Sequence, residues 1–461
     1  MHKPLSILAA ALLAGCSITP AHVTPQVPAI TLASAQQSAF ATGPAAASQA
    51  PWWEFFDDAR LAQLINSALA HNLDIARAQA SLQAARAVLD ERQLDQLPGV
   101  TGQAGWQRTL QQDTPATRSA STSSRIGFDA QWELDLFGRL AHLSRAAAAR
   151  SVAAQADLHQ LQLTIAAEVA RTYFEALGTQ QALALTQADI DSWRATLALV
   201  DARLRSGSGL PEERHNVQAN LARSEAALPP LQAALAQAHY RLDVLCAQPP
   251  GTMALASLAP QPAPLAGRLP LGDVGQLILH RPDVVRAERL LAASGEEVGA
   301  ARAELYPRLS LGGFVGFFAL RGSSVFDGGA RAFELAPGIS HPAFRLGSAR
   351  ARVRGSVALA QGALAGYEQA ILLAREEVEN AVTQLVENQR RLAALVQSAQ
   401  HGSAALDIAR TRYQRGAGSY QAVLENQRAL LAIRHAALQA ETASYVNAIT
   451  LYKALGWGYA I

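Results

Sequence analysis

Ile126 to Leu136 reads IGFDAQWELDL, and its alternation decides the fold. Ile126, Phe128, Ala130, Trp132, Leu134 and Leu136 share one face of an extended chain, while Gly127, Asp129, Gln131, Glu133 and Asp135, with Arg125 before them, share the other. The second face carries four charges. Upstream, Val100, Gly102, Ala104, Trp106 and Leu110 alternate with Thr101, Gln103, Gly105, Gln107, Thr109 and Gln111, and only Arg108 breaks the pattern. With the Thr- and Ser-rich stretch between them read as a loop, these segments form a β-hairpin over 99–136, with strands of about ten residues.

An apolar face backed by a charged one suits a membrane β-barrel, with lipid outside and water inside. A soluble sandwich would alternate too. A second hairpin is expected over 308–343, where Leu309, Leu311, Val315 and Phe317 precede a loop and Phe333, Leu335 and Ile339 follow it. Trp106, Trp132, Phe314 and Phe318 are the candidates for an aromatic belt at the membrane surface. Four strands cannot close a barrel, and an open edge in lipid leaves backbone groups unpaired at several kcal/mol each. The barrel must therefore be shared between chains. Two chains would supply eight strands and three would supply twelve, and the strands themselves do not choose.

Working outward, the chain repeats itself. Asp74, Arg77, Ala78 and Pro98 correspond to Asp283, Arg286, Ala287 and Pro307, and Gly207, Gly209, Gln218 and Leu221 to Gly416, Gly418, Gln427 and Leu430, each pair 209 positions apart. Two related halves follow, 52–248 and 272–461, each a helix, a β-hairpin and a long helical hairpin. The crossover over 249–271 holds Pro249, Pro250, Pro260, Pro262, Pro264 and Pro270, which break any helix there. A helix from Leu73 to Leu97 is stopped by Pro98 and Gly99, and a helix opened by Pro282 and Asp283 is stopped by Pro307.

From Arg139 to Ser206 there is no proline, and Gly178 is the lone glycine; such a helix extends roughly 100 Å. Ile190, Trp193, Leu197, Val200 and Leu204 recur at steps of three and four, as do Val378, Val382, Leu385, Gln389, Leu392 and Val396. These are coiled-coil seams. Leu424, Leu431, Leu438, Tyr445 and Tyr452 continue the pattern at intervals of seven.

A formal net charge of +2 with 16% charged residues offers no field for nucleic acid. No stretch after Cys16 reaches 18 consecutive apolar residues, so the spans expected are β. Residues 1–15 read as an export signal, with Lys3 followed by an apolar run, and Leu13, Ala14, Gly15 and Cys16 match a bacterial lipobox, which makes Cys16 the expected lipidation site. Residues 16–51, rich in Ala, Gln, Thr and Pro, read as a tether. With Cys16 acylated, Cys246 is left without a disulfide partner.

No Walker loop, HExxH, GxSxG or metal-spaced cysteine pair occurs, so neither an enzyme nor a bound cofactor or metal is expected. A structural envelope tether would share the anchor and the coiled coils, but it has no use for barrel hairpins.

WELDLFGR at Trp132–Arg139, HRPDVVRA at His280–Ala287, ARAELYP at Ala301–Pro307 and LYKALGWG from Leu451 resemble the TolC-like outer-membrane efflux proteins, lipoprotein (NodT) branch, across nearly the whole chain. The resemblance implies an α+β fold: long coiled-coil hairpins forming an α-barrel, plus two β-hairpins that contribute four strands to a β-barrel shared in a homotrimer. It implies a passive outer-membrane duct reaching into the periplasm, fed by an inner-membrane pump of the resistance-nodulation-division class through a periplasmic adaptor protein. The alternative is the outer-membrane component of a type I protein secretion system.

By the same resemblance, the tips Ser206, Gly207, Ser208, Gly209 and Gly416, Ala417, Gly418 dock the adaptor. Asp129, Glu133 and Asp135 line the barrel lumen. The periplasmic gate falls at Tyr420–Arg428, reading YQAVLENQR, where the branch has a motif resembling YLxLLDAQR. Glu425 and Arg428 match its charged pair and lie on one helix face, while Gln421 stands where an aliphatic plug is common. A gate resting on exposed ion pairs of about 1 kcal/mol each is expected to open easily and to respond to salt. For the anchor, intact-mass analysis of the mature protein should show a chain beginning at an acylated Cys16, and an unmodified start elsewhere would refute the assignment.

Overall fold

The computed structural model describes residues 51–114, 117–252, 274–320 and 325–457. Cys16, the tether and most of the crossover lie outside them. A 3-10 turn, Trp52–Phe56, leads into α1 (Ala59–His71), α2 (Leu73–Leu94), β1 (Gly99–Thr114), β2 (Thr117–Leu134), α3 (Arg139–Arg205), α4 (Pro211–Ala226) and α5 (Leu228–Leu245). After the crossover come α6 (Val274–Leu279), α7 (Pro282–Ala303), β3 (Arg308–Ala319), β4 (Arg331–Ser340), α8 (Leu346–Gln414) and α9 (Tyr420–Ala454).

The chain divides into two compact units, and each takes segments from both sequence halves. One holds Ala80–Ala156 and Val285–Gln369; the other holds 51–79, Asp157–Val284 and Ala370–Ile461.

In the first unit the strands form one antiparallel sheet in the order β1-β2-β3-β4, which leaves β1 and β4 as its edges. The strands of the first hairpin are longer than the sequence suggests, at 16 and 18 residues. Ser- and Thr-rich chain read as loop continues the ladder, with Leu110 opposite Ala120 and Gln111 opposite Ser119. Small and β-branched polar residues suit extended chain where both faces are wet, so alternation lapses while pairing continues.

Register fixes the faces, because directly opposed residues share one. Trp132 opposes Leu311, Phe128 opposes Val315 and Val315 opposes Phe333, which joins the apolar positions of β2, β3 and β4. Trp106, opposite Ser124, lies on that face as well. Phe314 opposes Asp129 and Phe318 opposes Arg125. Both phenylalanines therefore lie on the charged face and leave the proposed lipid-side belt. Phe314 covers Gly127 and Gly316, an opposed pair with no room for a β-carbon on either residue, and the Arg125 guanidinium caps its ring at 3.9 Å. The glycines make the hollow and the ring fills it.

In the second unit, Phe174 stacks on Tyr445 with ring centroids 4.6 Å apart, and Trp52 stacks on Tyr452 at 5.8 Å. Asp58 caps α1 by accepting from the Arg60 and Leu61 amides, and it also accepts from the Tyr173 hydroxyl at 2.7 Å. Ile190, Trp193, Val200, Val378, Val382, Leu385, Leu424, Tyr445 and Tyr452 of the expected seams are buried, whereas Val396 is 46% exposed. Pro229 and Pro230 interrupt the return helix between α4 and α5, while α9 runs unbroken for 35 residues.

One helical span, Ala343–Gln414, includes a stretch of mean hydropathy 1.2 that could cross a membrane by length and composition, yet only 11% of it is buried. Gly178, the glycine inside α3, leaves space occupied by the Thr442 side chain of α9. Gly178→Val should destabilise the fold by about 1–3 kcal/mol through overpacking. Thr442→Ala in the same chain should restore part of the loss, read as the thermal midpoint by circular dichroism.

Candidate functional site

At the foot of the sheet, β2 turns into α3. Gly138 supplies the turn in the left-handed region, at φ 75°. Glu133 accepts two bonds from Arg139, at 2.9 and 2.7 Å, and Asp135 accepts from the Ala141 amide at 2.8 Å, which caps the new helix. Phe137 stacks on Tyr306 at 4.8 Å, so WELDLFGR and ARAELYP form one joint. The expected lumen acids are thus committed: Glu133 and Asp135 hold the joint, and Asp129 is paired with Arg125 at 2.7 Å.

A second joint lies in the helical unit. Arg281, 4% exposed at its side chain, donates to Asp283 at 2.7 Å, to Glu377 at 2.6 Å and to the Ala454 carbonyl at 2.5 Å. Its stem leaves no slack above Gly456, where a β-carbon would stand 3.1 Å from Arg281 Cγ. HRPDVVRA and LYKALGWG therefore meet, and the arginine neutralises two acids while closing the end of α9.

The two helix tips share one geometry. Gly207 and Gly416 sit in the left-handed region, at φ 75° and 74°. The Ser208 and Gly209 amides donate to the Arg203 carbonyl, and the Ala417 amide donates to the Arg412 carbonyl, so the last helical carbonyls are satisfied. Ser206, Gly207, Ser208, Gly416 and Ala417 are all exposed.

Beside the second tip the structure departs from the expected charge pair. Glu425 accepts from Gln421 Nε2 at 2.8 Å, one turn back on α9. Arg428 turns away from Glu425 and donates to Asn220 Oδ1 of α4 at 2.9 and 3.1 Å. Gln427 is buried and donates to Ser192 Oγ of α3 at 3.1 Å, which also accepts from Arg410 at 2.8 Å. Polar side chains of α9 therefore bind it to both α3 and α4. Asn220 had a sequence signal, a polar side chain three residues after the buried Val217, at seam spacing. Gln427 had a comparable signal, three residues after the seam residue Leu424 and opposite Gln218 in the 209-residue correspondence, but its polarity pointed to a solvated side chain.

Around these bonds Trp193, Val200, Val217, Tyr413, Tyr420 and Val423 form the apolar core of the tip. A cavity of about 360 Å³ opens onto Ser192, Thr196, Arg410, Tyr413 and Tyr420. Burial pushes the Tyr420 phenol up to about 12 and also raises that of Tyr413, so both hydroxyls stay neutral at physiological pH.

Long helical hairpins joined to β-hairpins with one apolar and one charged face define a class: the helical-barrel channels of the TolC-like kind. A family model described as outer membrane efflux protein matches residues 64–248 and 274–457. The cation efflux system protein CusC of Escherichia coli O6:H1 is 30% identical over 466 residues, 99% of each chain. The solvent efflux pump outer membrane protein SrpC of Pseudomonas putida is 30% identical over 478 residues, 100% of this chain and 99% of its own. The solved outer-membrane channel OprN superposes with a TM-score of 0.92 at 37% identity, covering 96% of this chain and 99% of that one. The chain belongs to the outer membrane efflux protein family and acts in the outer membrane.

At the tips, Gly416→Ala should cost about 1 kcal/mol by forcing a β-carbon into the left-handed region. Faster amide exchange confined to Tyr413–Tyr420, with the rest of α9 unchanged, is the expected readout.

Proposed function

We propose that this chain is the passive exit duct of a tripartite efflux assembly. It works as a lipid-anchored homotrimer, with acyl chains on Cys16, and performs no chemistry of its own. The observation that carries this reading is the open sheet. Its apolar face is bare, with Phe333 87% and Ile339 76% exposed, and its edge strands β1 and β4 have no partner in their own chain among the described residues. Lipid can cover the face, but only other strands can satisfy the edges. The scarcely buried apolar stretch of α8, with Leu359, Leu372 and Leu373 exposed, calls for neighbouring chains as well.

Three copies give a twelve-stranded barrel, the arrangement that the family resemblance implies. Energy then comes from an inner-membrane pump, and an adaptor docks at Ser206–Gly209 and Gly416–Gly418, the two exposed tips of matched geometry. CusC and SrpC carry names that point to different cargoes, cations and solvents, so cargo choice belongs to the pump. A heat-stable trimer on gels and ion conductance in planar bilayers test the reading; a monomer without conductance would overturn it.

The gate proposal centres on Gln421, Glu425 and Arg428, with Asn220 added as the group Arg428 holds. The bond from an exposed guanidinium to a neutral amide is worth about 1 kcal/mol and is screened by salt less than an ion pair would be. Arg428→Ala should raise single-channel conductance and vancomycin sensitivity at unchanged trimer yield, Asn220→Ala should match it, and Glu425→Ala should do less. Equal conductance in all three variants and the parent would place the closure elsewhere.

A further inference from the structure

Along the strands, the charged face of the sheet carries most of its charges in pairs. On β2, Arg125 pairs with Asp129 at 2.7 Å and Glu133 pairs with Arg139 at 2.7 Å. On β3, Arg308 lies 3.4 Å from Glu304. Each of these charges has an opposite charge beside it, and Glu304 is held by Arg352 as well, at 2.8 Å. Glu334 of β4 is different. It opposes Phe314 and so shares the face of Asp129, and among the described residues no Lys, Arg or His lies within ion-pair distance of it. Arg125, two positions from Asp129 along the same face, has its guanidinium engaged by Asp129 and by the Phe314 ring.

Assembly does not neutralise Glu334 either. With β1 and β4 as the sheet edges, a closed barrel seats β4 of one copy against β1 of the next. From Thr101 to Gln111 the face of β1 that meets the lumen carries Thr101, Gln103, Gln107, Thr109 and Gln111, all uncharged. The cation of β1, Arg108, alternates to the other side. Whatever the register, the apolar face must stay outward, so Arg108 cannot reach the lumen carboxylate.

We propose that Glu334 gives the duct its charge selectivity: one uncompensated carboxylate per copy forms a ring in the barrel lumen that favours cations and retards anions. This rests on the shared-barrel reading above. Glu334 borders a recess of about 370 Å³ together with Arg125, Asp129, Gln131 and Phe314, where passing solutes meet its charge directly. Because the lumen holds water, screening sets the range of the effect. The Debye length is about 30 Å at 0.01 M salt and about 3 Å at 1 M, so selectivity should be large in dilute salt and vanish in concentrated salt.

The test uses the full-length protein in planar bilayers under potassium chloride gradients, reading the zero-current potential. The parent should be cation-selective at about 10 mM and unselective at about 1 M. Glu334→Gln should lose most of the low-salt potential, and Glu334→Lys should reverse its sign, with trimer yield and single-channel current at high salt unchanged. Should Glu334→Gln assemble poorly, Glu334→Cys offers the same test, because Cys246 is buried. Labelling the new thiol with an anionic methanethiosulfonate should restore cation preference, and a cationic one should reverse it. A conducting channel whose low-salt potential is the same in the parent and in every variant would overturn the assignment. Absence of channels in the parent would instead overturn the shared-barrel reading beneath it.

Discussion

An unpaired backbone amide in hydrocarbon costs several kcal/mol, and the rest of this structure can be arranged around that constraint. The four-stranded sheet satisfies its interior ladders and leaves two edges open. A soluble protein can hydrate an edge or blunt it with lysine. Here the strand next to lipid carries Phe333, Leu335 and Ile339, so water is not at hand for the groups between them. On the proposed reading, association is then a condition of the fold in its membrane. The same association would cover the apolar stretch of α8, which is little buried within one chain.

How far this was legible in the sequence depends on which interactions are local. Period-two alternation put Phe128, Trp132, Leu309, Val315 and Phe333 on one face, and the cross-strand registers agree. Strand ends were not legible, because Ser and Thr near 118–124 pair as readily as they loop. Phe314 misled because an aromatic residue near a membrane invites a lipid-side reading. Its place was decided by a glycine pair on two strands almost two hundred residues apart, and that pair exists only once the register is known. The partner of Arg428 was likewise decided by a residue far away in the chain. Spacing of three residues allows an ion pair on a helix, but Asn220, a buried acceptor on another helix, competes for the guanidinium and wins. A carboxylate that is free to stay hydrated loses little by being left.

The motifs that carried the family resemblance prove to be joints when their contacts are followed. WELDLFGR turns a strand into a helix, using a left-handed glycine, a cap, a bidentate arginine and an aromatic stack in eight residues. HRPDVVRA and LYKALGWG meet through Arg281, which satisfies a helix-end carbonyl while buried beside two acids. Such places tolerate little substitution because several unlike requirements fall on the same side chain. Removing Arg281 would strip two carboxylates and a carbonyl of their partner at once, and no single neutral residue meets all three.

The two helical hairpins differ in stiffness although their tips are alike. The return helix of the first is interrupted at Ala227, ahead of Pro229 and Pro230, whereas that of the second is continuous from Tyr420 to Ala454. Displacement at one end of an unbroken helix is carried along it, while a break absorbs displacement locally. The continuous helix is also the one secured near its tip by side-chain bonds, through Gln427 to Ser192 and Arg428 to Asn220. Movement of the second tip would therefore have to release both bonds and would reach far along α9, whereas movement of the first tip could be taken up at the proline break. On the proposed reading, a latch opened by a docking partner is better placed on the helix that transmits motion than on the one that dissipates it, and the bonds to Ser192 and Asn220 lie on that unbroken helix.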